Sequence, residues 1–223
     1  MVEPMQGDRR VTNRPDAVPE RRVMVLAGLL AALAGFVDAT GYLHLSGLFV
    51  SYMSGNSTQL AVALGQDDLG EAGTIAGLIA LFVLGAAAGQ VLAGFAGKWH
   101  LTWVLIGVAI LLAIAGALGT SPEPMVLAMG ALNAAMHRAG SIPVSLTFVT
   151  GVLVRFGQGL GDFITRRTRG WNWLMQAVPW VGLIIGAMLG GAAYLRIAEA
   201  VIWVPVGFAG LIAAYSVTIP QPD

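Results

Sequence analysis

Six long apolar runs restrict what this chain can fold into. They cover residues 23–43, 72–96, 101–119, 123–142, 172–195 and 200–219. A helix needs about 20 apolar residues to cross the hydrocarbon core of a bilayer. The runs therefore predict an all-α fold, a polytopic membrane helix bundle in which residues 23–219 form a single transmembrane domain.

The composition agrees with a membrane protein and excludes several functions. Only 11% of the residues are charged, whereas soluble domains carry roughly 25%. The net charge is zero, so the expected partner is the lipid bilayer and no nucleic acid. The chain has no cysteine, and His44, His100 and His137 do not show the spacing of a metal site. We expect no metal, no cofactor and, in the absence of a catalytic motif, no enzyme.

The basic residues predict how the chain is oriented. Residues 1–22 are rich in arginine and contain three prolines, which is typical of a disordered tail. Lysine and arginine near span ends concentrate on the cytoplasmic side. The tail is therefore expected in the cytoplasm.

Two further segments, 47–65 and 144–163, decide the number of crossings. The first is interrupted at Gly55–Asn56 and the second at Thr150–Gly151. If both are broken or re-entrant, Lys98 falls on the cytoplasmic side with the other basic residues, as the charge rule requires. Six crossings are favoured on this ground, with seven or eight as the alternatives.

The chain also contains an internal repeat. Residues 35–39 align with residues 130–134 at an offset of 95, and Ser54–Gly55 aligns with Thr150–Gly151 at an offset of 96. A later match pairs residues 85–89 with residues 186–190 at an offset of 101. The first repeat covers about 23–119 and the second about 123–219. Three crossings per half would make an inverted repeat, as in many secondary transporters, and four would make the halves parallel.

A polar motif lies in each half of the chain. The first consists of Gly35, Val37, Asp38, Ala39, Tyr42, Phe49, Val50, Met53, Ser54, Gly55 and Asn56. The second consists of Met129, Gly130, Asn133, Ala134, Arg138, Thr147, Thr150 and Gly151. Together these motifs resemble the YoaK-like family of bacterial membrane proteins, a family catalogued as a domain of unknown function. The resemblance implies a multi-pass protein of the inner membrane and favours a transporter.

One position departs from the pattern of that family. Leu132 stands where the family usually has glutamine. The departure puts a polar role of this position in doubt here. The resemblance brings no settled substrate.

The first polar motif supplies most of the candidate binding residues. Asp38 is the only Asp, Glu, Lys or Arg between Arg22 and Asp67, and a charge within a span costs at least about 2.5 kcal/mol. It is predicted as a proton carrier, with a structural acid as the alternative. The other candidates in this motif and just after it are Tyr42, Ser54, Gly55, Asn56, Ser57 and Thr58. They would contact a ligand directly, unless Asn56 or Ser57 is a plain helix cap.

The second motif supplies the remaining candidates, which are Asn133, Arg138, Thr147, Thr150 and Gly151. Arg138 could pair with Asp38 or bind an anionic substrate, because a guanidinium suits carboxylates. The alternative is an arginine that extends to the membrane surface.

These observations predict a small secondary transporter for a small polar or ionic solute, with proton coupling through Asp38 as a hypothesis. A passive channel or facilitator is the first alternative. A non-transporting membrane scaffold or enzyme partner is the second. A homodimer is a further expectation, since small residues at Gly85, Gly89, Gly186 and Gly190 allow helices to approach closely.

Overall fold

The computed structural model describes residues 20–136, 149–167 and 170–218, and the regular elements in these ranges are all helical. This confirms the predicted all-α fold. The α-helices are α1 (Glu20–His44), α2 (Met53–Gly65), α3 (Leu69–Ala96), α4 (His100–Ala117), α5 (Pro122–Met136), α6 (Val149–Ile164), α7 (Val178–Ile197) and α8 (Trp203–Ser216). Short 3-10 turns, Gly97–Trp99 and Ala198–Ile202, join α3 to α4 and α7 to α8.

Three continuous helical stretches in the described residues are long and apolar enough to cross a membrane. They are Arg22–His44, Leu69–Ala117 and Trp173–Ser216. The second includes α3 and α4, and the third includes α7 and α8. Large apolar side chains of α3 point outward, with Val83, Leu84 and Phe95 at 59%, 60% and 88% exposure. An outer surface of this kind suits contact with lipid, and it supports the predicted membrane helix bundle.

Helices α1 and α7 pack closely and run in the same direction. A side chain on Gly182, Gly186 or Gly190 would collide with the backbone of α1, at Gly28, Ala32 and Phe36 respectively. The contact advances by four residues on both helices at each step, so the helices are parallel. Small residues at these positions let the two backbones approach.

Helices α3 and α5 form an equivalent pair. A side chain on Gly85 would collide with Leu127, and one on Gly89 with Ala131. These positions correspond to Gly186, Ala32, Gly190 and Phe36 at the offsets of the sequence repeat, which are 101 for the glycines and 95 for their partners. Each half therefore packs its glycine-rich helix against the first helix of the other half.

An unusual backbone conformation also recurs at the offset of 101. The residue after α3 is Gly97, with φ 53° and ψ −130°. The residue after α7 is Ala198, with φ 45° and ψ −125°. Positive φ is rare for residues other than glycine, so the shared geometry at both junctions strengthens the relation between the halves.

Helices α4 and α8 are equivalent members of the two halves and pack side by side in opposite directions. The hydroxyl groups of Thr102, near the start of α4, and Ser216, at the end of α8, lie 2.7 Å apart. At the other end of the pair, Gly116 of α4 approaches Ile202 and Trp203 at the start of α8.

The buried core lies between α1, α4, α5 and α8. Its largest fully buried side chains include Leu30, Leu33, Leu105, Leu112, Met125, Met129, Leu132 and Ile212. Leu132 therefore serves apolar packing in this chain.

The interrupted segments differ in detail from the prediction. Helix α2 runs without a break through Gly55 and Asn56, and the interruption lies earlier, at residues 45–52. Helix α6 likewise runs through Thr150 and Gly151, which occupy its first turn. The chain leaves α1 through Ser46 and Gly47, whose φ angles are 52° and 108°. We call residues 45–52 the α1–α2 connection.

Candidate functional site

Asp38 holds the α1–α2 connection against α1. It lies six residues before the end of α1 and is half-buried. Its Oδ1 accepts hydrogen bonds from the backbone N–H groups of Val50, at 2.9 Å, and Ser51, at 2.7 Å. Its Oδ2 accepts a hydrogen bond from the Ser51 hydroxyl group. The acid that the sequence places inside an apolar span thus has three donors around it.

Asn56 holds the same connection from the other side. Its side chain is fully buried. Its Nδ2 donates to the backbone oxygen of Phe49 at 2.6 Å, and its Oδ1 accepts from the backbone N–H of Phe49 at 3.0 Å. Asp38 and Asn56 therefore satisfy the N–H groups of three consecutive residues, Phe49, Val50 and Ser51, which leave the helical hydrogen-bond pattern.

Two further contacts fix the connection in place. Val50 is fully buried, and its side chain packs where a side chain on Gly41 of α1 would collide with it. Gln59 of α2 donates from Nε2 to the Gly47 oxygen at 3.0 Å. The connection is therefore held by side chains of both α1 and α2.

Three aromatic rings lie next to the carboxylate. The ring centroids of Tyr42 and Phe49 are 4.9 Å apart, and those of Phe49 and Tyr52 are 5.2 Å apart with the rings nearly perpendicular. Gly55 lies beneath the Tyr52 ring, where any side chain would collide with it. Gly55 is thus required for ring packing, and we call Tyr42, Phe49 and Tyr52 the aromatic wall.

A cavity of about 610 Å³ opens at this point between the two halves. The α1–α2 connection and α1 form one side, and the first turn of α6 together with α7 forms the other. Its lining residues are Gly35, Asp38, Ala39, Tyr42, Leu43, Phe49, Ser51, Tyr52, Val149, Thr150, Leu183 and Ala187. Asp38 is the only charged residue among these described lining residues, which are otherwise mainly apolar.

Of the ten predicted site residues that the structure describes, the cavity brings together three, Asp38, Tyr42 and Thr150. Other predicted residues of the first motif lie elsewhere. Ser54, Ser57 and Thr58 are exposed, and the hydroxyl groups of Ser57 and Thr58 donate to backbone oxygens four residues earlier in α2. These two hydroxyl groups satisfy their own helix and do not reach the cavity.

In the second motif, Asn133 is buried at the position that corresponds to Asp38. Its Nδ2 donates to the Met129 oxygen at 2.9 Å, and its Oδ1 has no hydrogen-bond partner among the described residues. Gly151 is in α6 but is not among the lining residues of the cavity. Arg138 and Thr147 lie outside the described residues.

Several lining residues were not predicted from the sequence. Phe49 and Ser51 lie within the first motif, and Asp38 lies twelve or thirteen residues before its partners Val50 and Ser51. Ser51 could therefore have been found in the sequence as a polar residue within the motif that contains Asp38. Leu183 and Ala187 come from α7 of the other half, and only the packing of α1 against α7 brings them to the cavity.

The fold and the cavity define a class of integral membrane protein, an apolar helix bundle with a carboxylate between its halves. The comparisons with other proteins agree that it is a membrane protein. The chain belongs to the family described as "Protein of unknown function (DUF1275)", which matches residues 26–215. This confirms the resemblance to the YoaK-like proteins, which are members of that family.

One relative extends the likeness to almost the whole chain. The UPF0700 transmembrane protein RA0705 of Rhizobium meliloti (strain 1021) is 38% identical over 218 residues, which is 95% of each chain. This relative is named as a transmembrane protein, which agrees with the apolar helices of this chain. No solved structure matches this chain.

Proposed function

We propose that the chain is a small secondary transporter in the bacterial inner membrane, which moves a small polar or ionic solute. The observation that carries this proposal is the cavity of about 610 Å³ at Asp38, whose walls come from both halves. Binding sites of transporters with related halves lie where the halves meet. A membrane scaffold has no need of a cavity beside a charged group.

The directions of the helices support six crossings. Helices α4 and α8 are antiparallel, which requires an odd number of crossings after α4, so α6 does not cross if α5, α7 and α8 do. Helices α1 and α7 are parallel, which then requires that α2 does not cross either. With the arginine-rich tail in the cytoplasm, the halves have opposite orientations, as in an inverted repeat.

The same arrangement suggests how the cavity would change its access. Its first side belongs to α1 and the α1–α2 connection, and its second side belongs to α6 and α7. Movement of one side against the other would open the cavity to one face of the membrane and then to the other. Gly35 of α1 and Leu183 and Ala187 of α7 lie in the parallel α1–α7 contact and also line the cavity. A change in this contact would therefore change the shape of the cavity.

Proton coupling through Asp38 is the form of transport that we propose. The carboxylate accepts hydrogen bonds from the N–H groups of Val50 and Ser51 and from the Ser51 hydroxyl group. A proton on Asp38 would turn one carboxylate oxygen into a hydrogen-bond donor that faces other donors. The hydrogen bonds from Val50 and Ser51 to Asp38 would then weaken. Protonation would thereby loosen the wall of the cavity that the connection forms.

The test uses proteoliposomes with a proton gradient, exposed to an extract of small bacterial metabolites. We expect one or a few solutes to accumulate with the wild-type protein and to be found by mass spectrometry of the vesicle contents. Ala39→Leu fills the cavity and should abolish accumulation. Ala113→Leu lies in a separate apolar groove between α4 and α8 and should leave accumulation unchanged.

Three outcomes separate the proposal from its alternatives. Accumulation that Asp38→Asn abolishes, in protein that still folds, supports proton coupling. Solute entry that ignores the proton gradient points to a passive channel or facilitator. Vesicles whose contents are the same with and without the wild-type protein contradict transport and favour a scaffold or enzyme partner.

A further inference from the structure

We propose that the cavity at Asp38 binds a small organic cation with an apolar body. This inference deepens the proposed function, because it assigns a substrate class to the same cavity. It rests on three features of the described residues: the charge of the lining, the use of its hydrogen-bond donors, and the aromatic wall.

The charge of the described lining residues favours a cation. Asp38 is the one charged residue among the described lining residues. Its Oδ2 accepts one hydrogen bond, from Ser51, although a carboxylate oxygen can accept about two. Asp38 lines the cavity, so its carboxylate can attract a ligand ammonium group.

The backbone N–H groups of residues 49–51 and the Ser51 hydroxyl group are already in use, which disfavours an anion beside Asp38. The N–H groups of Val50 and Ser51 and the hydroxyl group of Ser51 all donate to Asp38. The N–H group of Phe49 donates to Asn56. An anion beside Asp38 would be repelled by the carboxylate. It would also lack hydrogen bonds from the N–H groups of residues 49–51, which already donate to Asp38 and Asn56.

The aromatic wall supplies the second element of cation recognition. The faces of aromatic rings attract ammonium groups within about 6 Å. Tyr42, Phe49 and Tyr52 all line the cavity together with Asp38. The opposite wall consists of Val149, Thr150, Leu183 and Ala187, which would contact the apolar body of the ligand.

The volume also fits a small organic molecule. Pockets for such ligands span about 300–1,000 Å³ and are mostly apolar with a few polar groups. The groove between α4 and α8 has a similar volume of about 500 Å³. Its described lining has no charged residue and no aromatic residue. It therefore provides an internal control for binding driven by apolar contact alone.

The experiment measures equilibrium binding to the purified full chain in nanodiscs by calorimetry. The test ligands are benzyltrimethylammonium, benzyl alcohol and benzoate, which share a ring and differ in charge. We expect saturable binding of the cation, weaker binding of the alcohol and no measurable binding of benzoate. Asp38→Asn keeps a carbonyl oxygen for the connection, and it should weaken binding of the cation by about thirtyfold or more with little effect on the alcohol.

Two further variants keep the test decisive if Asp38→Asn does not fold. Tyr42→Leu should weaken binding of the cation by about threefold to tenfold, and Ala39→Leu should abolish it. Ala113→Leu, in the α4–α8 groove, should bind as the wild type does. Benzoate binding as tightly as the cation, or cation binding that survives Ala39→Leu, would overturn the inference.

The inference and the proposed function can fail separately. Cation binding in a protein whose vesicles accumulate no solute would retain the binding site and reject transport. Accumulation of an anion by a protein that does not bind benzyltrimethylammonium would retain transport and reject the substrate class.

Discussion

The two halves of the molecule pack alike but treat their matching polar residues differently. In the first half, Asp38 and Asn56 satisfy three consecutive N–H groups of the α1–α2 connection. In the second half, Asn133 corresponds to Asp38, and its Oδ1 has no partner among the described residues. The repeat thus preserves the glycine contacts between helices, while the acid is confined to one half. In the described residues, the glycine contacts are alike in the two halves, whereas the polar contacts of Asp38 and Asn133 differ.

The largest expected effect concerns the orientation of the halves. Gln66 and Thr165 are exposed, and each is the first residue after its helix, α2 and α6 respectively. Because the chain has no cysteine, Gln66→Cys and Thr165→Cys can be labelled one at a time with a membrane-impermeant maleimide. An inverted repeat predicts labelling from opposite faces, with Gln66→Cys outside and Thr165→Cys in the cytoplasm. Labelling of both from the same face would mean that the halves are parallel.

The next effect tests whether the helix contacts are equivalent. Gly186→Ala and Gly85→Ala each drive a methyl group into the backbone of the partner helix, and each should lower the free energy of unfolding by about 3 kcal/mol. Gly191→Ala meets nothing within 4 Å and should change it by less than about 1 kcal/mol. Denaturant titration in detergent measures all three. A large loss in only one half would show that the packing is not repeated.

A matched pair of asparagine variants tests the difference in chemistry. Asn56→Ala leaves the N–H and oxygen of Phe49 without their partner and should cost about 2–3 kcal/mol. Asn133→Ala removes one hydrogen bond to Met129 and should cost less than about 1 kcal/mol. The same titration compares them. Equal losses would show that Asn133 holds a connection as Asn56 does.

The smallest effect concerns the two helix junctions with the same unusual backbone. Ala198 adopts φ 45° and ψ −125°, where glycine stands at the equivalent position 97. Ala198→Gly should stabilise the protein by about 1 kcal/mol, and Gly97→Ala should destabilise it by a similar amount. Thermal unfolding should move in opposite directions for the two variants, and shifts of the same sign would contradict the equivalence.

The sequence predicts much of the scaffold because its determinants are local or periodic. Apolar runs of span length indicate the helices, and fixed offsets relate Gly85 to Gly186 before any contact is known. These glycines pack against a helix of the other half, α7 against α1 and α3 against α5. That pairing depends on tertiary packing. A repeat offset shows which positions correspond and leaves their contacts open.

The candidate site was predictable only in part for the same reason. Asp38 is identifiable because a charge within an apolar span is costly, and Tyr42 lies one turn away from it. Asn56 looks like a ligand-binding residue in the sequence, yet its amide bonds the backbone of Phe49 seven residues earlier. That role depends on the conformation of the α1–α2 connection, and composition and periodicity carry no information about it.

The central claim is that the cavity at Asp38 communicates with both faces of the membrane. Ala39→Cys places a thiol in its lining, in a chain with no other cysteine. We predict that an impermeant maleimide labels it from outside in intact cells and from the cytoplasmic face in inverted vesicles, whereas Ala113→Cys in the α4–α8 groove is labelled from neither side. Labelling of Ala39→Cys from one face only, or from neither, would contradict the account.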